Sequence, residues 1–446
     1  MSAPNPAAPD DRPDGRGRAV ALAAVTEFWE RFGYYALSGL LPLFLTAPLA
    51  DHGFGWTRAD AVALAGAYSG LAFAAPALGG WIASAWLGER RAILLGGWGV
   101  VAGQAMMAVA LASPAAEWRL PLFLGGLGAV VAGTGLIKPA VSALVGLFYA
   151  PNDPRRGAAY GLFMAGVWAG SFLANFTAGT VGERLGWAWG CVTAGGGMAF
   201  GLVVFTVLQG RLLGAHGLRP APGPRAAVRP RLTTVERRRL SAFAAASLFT
   251  VLYGVAFYQK GGYLTLLARD QVDRTVLGWA VPVTWLLSVS TGAFVIVAPF
   301  LGLLFATAAR RGRAIDPVLQ QVLGLVSLAA GYGVMLAGAQ AAHGGLIPIG
   351  WIVAGYVLFG LADVFIWPPQ IALASAVAPP RIASLVIGVW YICIGAGSTL
   401  AGVAGGFALG RSPQAVFAAF GLALLAVAAL LAALRPRLLG ALAAAP

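Results

Sequence analysis

Glu27, Glu30 and Arg31 stand at i, i+3 and i+4 in the run Glu27-Phe28-Trp29-Glu30-Arg31, so a helix through this stretch sets two carboxylates and a guanidinium on one face. Tyr34 extends that face, with Tyr35 close beside it. Ion pairing favours the ionised form of a carboxylate and desolvation its protonated form, so such a cluster can exchange a proton whenever its pairing changes. Lys138, Lys260 and Asp363 interrupt other apolar runs, and the six ionisable residues together sum to zero formal charge. An ionisable side chain near the centre of a bilayer costs roughly 2.5–3.5 kcal/mol on insertion scales, which makes function the default explanation for each. The competing structural reading is a salt bridge that locks the first helix to the fourth through Lys138.

The elements that must hold these residues are membrane helices. Of the 446 residues 59% are hydrophobic and 10% charged, the mean hydropathy is +0.79 and 62 residues are glycine, a balance that excludes a soluble domain. A span needs roughly 20 mostly apolar residues, and about twelve such stretches fit. The net charge of +14 does not indicate nucleic acid: the termini and the loops after even-numbered helices hold 21 of the 30 Lys and Arg against 7 acids, while the opposite loops hold 6 of each sign. That asymmetry predicts cytoplasmic N- and C-termini in a multi-pass protein of the cell's inner (plasma) membrane. No signal peptide is expected in residues 1–18, and Cys191 and Cys393, each within a predicted helix, form neither a disulfide framework nor a metal site.

The expected organisation is a disordered cytoplasmic N-terminus (1–18), a six-helix bundle (19–210), a basic cytoplasmic linker (211–240) with eight arginines and four prolines, a second six-helix bundle (241–434) and a cytoplasmic tail (435–446). The halves repeat: Gly161, Ala169, Gly170, Ser171, Leu173, Ala174 and Gly179 recur 227 positions later as Gly388, Ala396, Gly397, Ser398, Leu400, Ala401 and Gly406. Lys138-Pro139 in helix 4 sits near the position that matches Trp367-Pro368 in helix 10. A parallel repeat of six plus six helices predicts an all-α membrane protein of the major facilitator fold, with substrate near the midplane between the halves.

The run from Glu27 to Tyr35 resembles the ExxERFxYY motif of the proton-dependent oligopeptide transporter (POT) family. Further similarities follow in order: Tyr68, Pro76, Gly79 and Gly80 in helix 2; Gly88 with Arg90 or Arg91; Gly133-Thr134-Gly135-Leu136-Ile137-Lys138-Pro139 in helix 4; and Asp153-Pro154-Arg155-Arg156 before helix 5. The resemblance covers nearly the whole chain and is stronger in the first half. It implies proton-coupled symport of di- and tripeptides by alternating access, in a protein that acts as a monomer within the lipid bilayer without a cofactor. It further implies that Arg31 and Lys138 receive the peptide carboxylate, that Tyr34, Tyr35 and Tyr68 line the pocket, that Glu27 and Glu30 with Arg31 couple protons, and that Asp363 meets the peptide amino group in place of the family's longer glutamate.

Departures cluster in the second half. The family's Phe-Glu-Gln segment in helix 7 is here Phe257-Tyr258-Gln259-Lys260, so an acid is lost and a cation gained. Helix 8 carries Leu287-Ser288-Val289-Ser290-Thr291 where relatives have Gln-Ser-Leu-Asn-Pro, Trp168 stands where helix 5 often has asparagine, and Ser84 replaces an aspartate. Tyr258, Lys260, Ser290, Trp168 and Trp390 complete the candidate pocket lining. Lys260 has three open roles: snorkelling to an interface, pairing with an acid, or meeting an acidic group of the substrate. Uptake or export of another small acidic or amphipathic solute is the alternative within transport. An intramembrane enzyme is not expected, because His52, His216 and His343 all fall in loops or the linker and no metal triad or Ser-His pair can form within the spans.

Overall fold

A computed structural model of the chain describes residues 13–113, 117–149, 153, 155–218, 220, 232–379 and 382–442. Twelve long helices follow in order: α1 (Pro13–Thr46), α2 (Arg58–Leu87), α3 (Glu89–Ala112), α4 (Arg119–Gly146), α5 (Arg156–Leu185), α6 (Trp187–Leu213), α7 (Thr234–Gln271), α8 (Trp285–Arg310), α9 (Pro317–Ala341), α10 (Ile349–Val377), α11 (Ala383–Ala408) and α12 (Pro413–Leu442). Eleven of them are long and apolar enough to cross a membrane by composition alone. The exception is α1, whose 34 residues are ample and whose hydropathy is spoiled by the charges at its centre. Large apolar side chains such as Leu78, Phe200, Ile296, Phe300 and Phe407 are exposed along these helices, as a lipid-covered surface requires.

The chain divides into two compact units. The first comprises Met1–Leu40, Pro48–Phe54 and Ala74–Ala227, and the second Leu41–Ala47, Gly55–Phe73 and Val228–Pro446. In the first unit α3 and α4 meet backbone to backbone. Gly96 and Gly103 face Gly133 and Gly126, a seven-residue spacing on each helix. A Cβ on Gly126 would lie 2.7 Å from the Gly103 carbonyl oxygen, and one on Gly133 would strike the Gly96 carbonyl. Gly166 and Gly170 of α5 make a comparable approach to the backbone of α1 at Ala24 and Phe28. Buried arginines tie the connections down: Arg119 donates to the carbonyls of His52, Gly53 and Ala110 at 2.7–2.9 Å, and Arg90 to that of Gly214 at 2.6 Å.

In the second unit the first half of α2 lies against α11 through Gly66 and Gly402 and through Gly70 and Gly395. α7, α9 and α10 are joined by an amide chain: Gln370 donates to Gln321 Oε1, and Gln321 to Thr250 Oγ1, each at 3.0 Å. Asp316 caps α9 by accepting from the Leu319 N–H at 2.9 Å, and the same carboxylate holds Arg435 of α12 at 2.7 Å. Small strands occur only in the loops among the described residues, including a hairpin of Thr275–Val276 with Trp279–Ala280. Its connecting residues Leu277 and Gly278 both have positive φ, the geometry of a type I′ turn.

Several ends differ from the hydropathy expectation. Residues 13–18, expected as part of a disordered tail, are already helical, since Pro13 sits where a helix needs no N–H; 1–12 lie outside the described residues. α7 begins at Thr234, ahead of the expected 241, because Thr233 and Glu236 form a capping box and the arginines that follow are good helix formers. α12 runs on through Arg435 and Arg437 to Leu442 despite Pro436. Part of the expected linker (219 and 221–231) and residues 443–446 lie outside the described residues.

Replacement of Gly133 by valine is expected to destabilise the protein in detergent by about 1–3 kcal/mol through overpacking. Gly128→Val, on the same helix but with open space around it, should stay within about 0.5 kcal/mol of wild type in the same thermal unfolding assay. For Asp316, burial raises the carboxyl, but Arg435 and the Leu319 N–H outweigh it and hold the group below its ordinary value. Its contribution is therefore complete at neutral pH and lost as the pH falls through that lowered value. Asp316→Ala should cost about 1 kcal/mol at pH 7, with the gap from wild type closing in unfolding scans taken toward pH 3.

Candidate functional site

Two polar clusters interrupt the apolar interior, one in each unit. In the first, the helical spacing on α1 brings Glu27, Glu30 and Arg31 together with 2, 1 and 3% of their surfaces exposed. Arg31 Nε donates to Glu30 Oε2 and lies 3.4 Å from Glu27 Oε1, so one nitrogen serves both acids. The guanidinium also sits 5.0 Å from the centre of the Tyr34 ring, and Tyr34 packs edge-on against Tyr35 at 5.0 Å. Lys138, partly buried one residue before Pro139 within α4, lies within electrostatic range of all three charges. Each member of the triad keeps one buried polar atom with no hydrogen-bond partner among the described residues: Glu27 Oε2, Glu30 Oε1 and Arg31 Nη2. Buried polar atoms are normally satisfied, so these three stand out in the apolar interior. Trp168 stands half-buried on α5 between the two glycines that touch α1.

The second cluster is organised by a break in α7. The helix changes to a tight 3₁₀ turn over Tyr258–Gly261 and resumes at Tyr263. The Lys260 carbonyl freed by this change accepts from Thr265 Oγ1 at 2.6 Å. The Lys260 ammonium donates to Ser290 Oγ of α8 at 3.1 Å and lies 3.8 Å from the centre of the Phe257 ring. Asp363 of α10 is 5% exposed; it accepts from the Tyr253 hydroxyl at 2.7 Å, with the Trp367 side chain as a second donor. Lys260 and Asp363 act on each other electrostatically without forming an ion pair. Of the open roles for Lys260, snorkelling is not what the structure has, since the side chain turns inward to α8.

Tyr258 and Trp390 belong to an aromatic group with Phe73, Trp367 and Tyr391. Phe73 and Tyr258 lie 5.7 Å apart, and Trp367 is 5.1 Å from Trp390. Trp390 is fully buried there and acts as packing for Trp367. Tyr68, on the first half of α2, is 1% exposed within the second unit. Sequence reasoning passed over Tyr253 and Phe257, although both stand at helical spacing from Lys260, at i−7 and i−3, and that periodicity was the available signal.

A family model described as the POT family matches residues 90–212 and 227–411. The chain belongs to the POT family. POT members are membrane transporters, so the protein is a multi-pass transporter and not an enzyme. Similar proteins include the peptide transporter YePEPT of Yersinia enterocolitica, 28% identical over 86% of each chain. Dipeptide and tripeptide permease A of Salmonella typhimurium is 23% identical over 86% of this chain and 83% of its own. Among solved structures, a peptide transporter POT in complex with sulfate aligns with a TM-score of 0.86 at 24% identity, over 94% of this chain and 95% of that one. A POT family transporter in complex with 5-aminolevulinic acid aligns equally well, at 18% identity over 94% and 96%. These likenesses give the fold, twelve helices in the major facilitator arrangement.

Removing the cation alone should be the most damaging single change to this part of a POT protein. Arg31→Met strands two buried carboxylates and is expected to cost about 3–5 kcal/mol, while the triple change Glu27→Gln, Glu30→Gln, Arg31→Met recovers most of that loss. Paired thermal unfolding in detergent measures both; equal losses would show that the ions do not balance one another.

Proposed function

We propose that the chain is a secondary active transporter that couples proton movement to the uptake of di- and tripeptides across the cytoplasmic membrane, as a monomer and by alternating access. The observation that carries this reading is the triad on α1 with its three unfilled polar atoms. Glu27 and Glu30 balance Arg31 and Lys138, so the resting set is neutral. A peptide carboxylate that enters to meet Arg31 and Lys138 adds one negative charge to a region of low dielectric, where an uncompensated charge is costly. A proton taken up on Glu27 or Glu30 restores neutrality. Substrate and proton then move together because neither is accommodated alone.

The remaining assignments follow from the same chemistry. Arg31 offers a planar fork of donors and Lys138 a point charge, both suited to a carboxylate. Tyr34, Tyr35 and Tyr68 supply hydroxyls without charge, Asp363 meets the amino group, and Trp168, Tyr258, Ser290 and Trp390 shape or support the lining. The names of YePEPT and of dipeptide and tripeptide permease A point to the same class of solute. The lopsided arginines support an orientation with both termini in the cytoplasm, two six-helix halves (19–210 and 241–434) joined by 211–240, and a bilayer covering the exposed apolar surface.

Proteoliposomes with an inward proton gradient are expected to accumulate dialanine, and collapse of the gradient or Glu30→Gln to abolish accumulation. Accumulation that persists without the gradient rules out coupling. A panel of di- and tripeptides that fails to compete identifies the carried solute as another small acidic or amphipathic compound.

A further inference from the structure

The charge balance of part-buried Lys260 and buried Asp363 carries the reading one step further, to which peptides are preferred; this step rests on peptide transport as proposed above. Asp363 and Lys260 together are neutral. A peptide amino group arriving at Asp363 leaves the pair with one excess positive charge in a setting walled by Phe257, Tyr253 and Trp367. The acid is already engaged by the Tyr253 hydroxyl at 2.7 Å and makes no ion pair with Lys260. Lys260 has one hydrogen bond, to Ser290 Oγ, and the Ser290 hydroxyl is itself spent on the Leu287 carbonyl at 3.0 Å. An ammonium carries three donors, so two of those on Lys260 have no acceptor among the described residues. Its contact with the Phe257 ring fixes where the charge sits and adds no acceptor.

We propose that Lys260, held by Ser290 and Phe257, is a specificity-determining cation that selects peptides bearing an acidic side chain. A carboxylate on the substrate side chain fills the unused donors and returns the Lys260–Asp363 pair to neutrality when the amino group is bound. An uncharged side chain does neither, and a basic one adds a further positive charge. The terminal carboxylate is assigned to Arg31 and Lys138 in the function proposed above, which leaves Lys260 for the side chain. The preference is therefore set by the side chain's charge and not by its shape.

The test compares Ala-Glu with its uncharged isostere Ala-Gln, and both with Ala-Lys, by competition for dialanine uptake and by ligand-induced stabilisation of the purified protein in detergent. Wild type is expected to bind Ala-Glu about tenfold more tightly than Ala-Gln, with Ala-Lys weakest. Lys260→Gln should bring the Ala-Glu to Ala-Gln ratio to about one, Lys260→Arg should keep it above one, and Lys260→Glu should favour Ala-Lys. The detergent measurement needs no turnover, so a variant that binds without transporting still reports. The inference is overturned if wild type treats Ala-Glu and Ala-Gln alike, or if Lys260→Gln weakens both equally, which would assign the lysine to the terminal carboxylate. Dialanine uptake without side-chain discrimination sinks this inference and leaves peptide transport standing; absence of any peptide uptake sinks both.

Discussion

A guanidinium can occupy the middle of a membrane helix only if its counter-ions travel with it. On α1 they do so at the shortest possible distance along the chain, one turn before Arg31 and immediately before it. The ionic interaction is thus local and already present in the isolated helix, so the charge is largely screened before tertiary packing begins. The rest of the first unit is arranged around that fact. α5 presses its glycines against the α1 backbone at Ala24 and Phe28, and α4 carries Lys138 next to Pro139. Local pairing leaves the cluster incomplete on its other side, where three polar atoms wait for partners.

Packing by glycine and bending by proline divide the structural labour. Where Gly96, Gly103, Gly126 and Gly133 let two backbones touch, α3 and α4 gain close dispersion contacts. Proline lies inside α1, α2, α4, α8, α10 and α12, and α2 and α5 each contain a wide π turn. These are the places where the helical hydrogen-bond ladder is interrupted and a helix can bend at low cost. The ion clusters lie beside such places, at Pro139 and at the 3₁₀ turn of α7.

Much of this was legible in the residues alone. The twelve spans follow from apolar run length, and the α1 cluster from spacing on a helix, both of which are one-dimensional properties. Helix ends were misjudged because hydropathy marks where hydrocarbon stops, and a helix such as α7 continues past that point under its own cap. The hairpin at Thr275–Ala280 was missed because two-residue strands leave almost no periodicity to read. Trp390, a candidate lining residue, packs edge-on against Trp367 at 5.1 Å, while Tyr253, which no motif marks, holds Asp363 directly. A hydrogen bond between residues 110 positions apart depends on how α7 and α10 pack, and that information is absent from either stretch by itself.

The turn at Tyr258–Gly261 has a further consequence for how such a transporter diversifies. Within an unbroken helix, exchanging a residue alters helix propensity and the packing of the turn before it, so the fold resists change. At residue 260 the backbone is held from outside the helical ladder, by the Thr265 hydroxyl on the carbonyl, whatever side chain the position carries. A change of side chain at this position therefore leaves that backbone hydrogen bond in place. The break in α7 thus separates the residue that carries the charge from the hydrogen bonds that hold the span together.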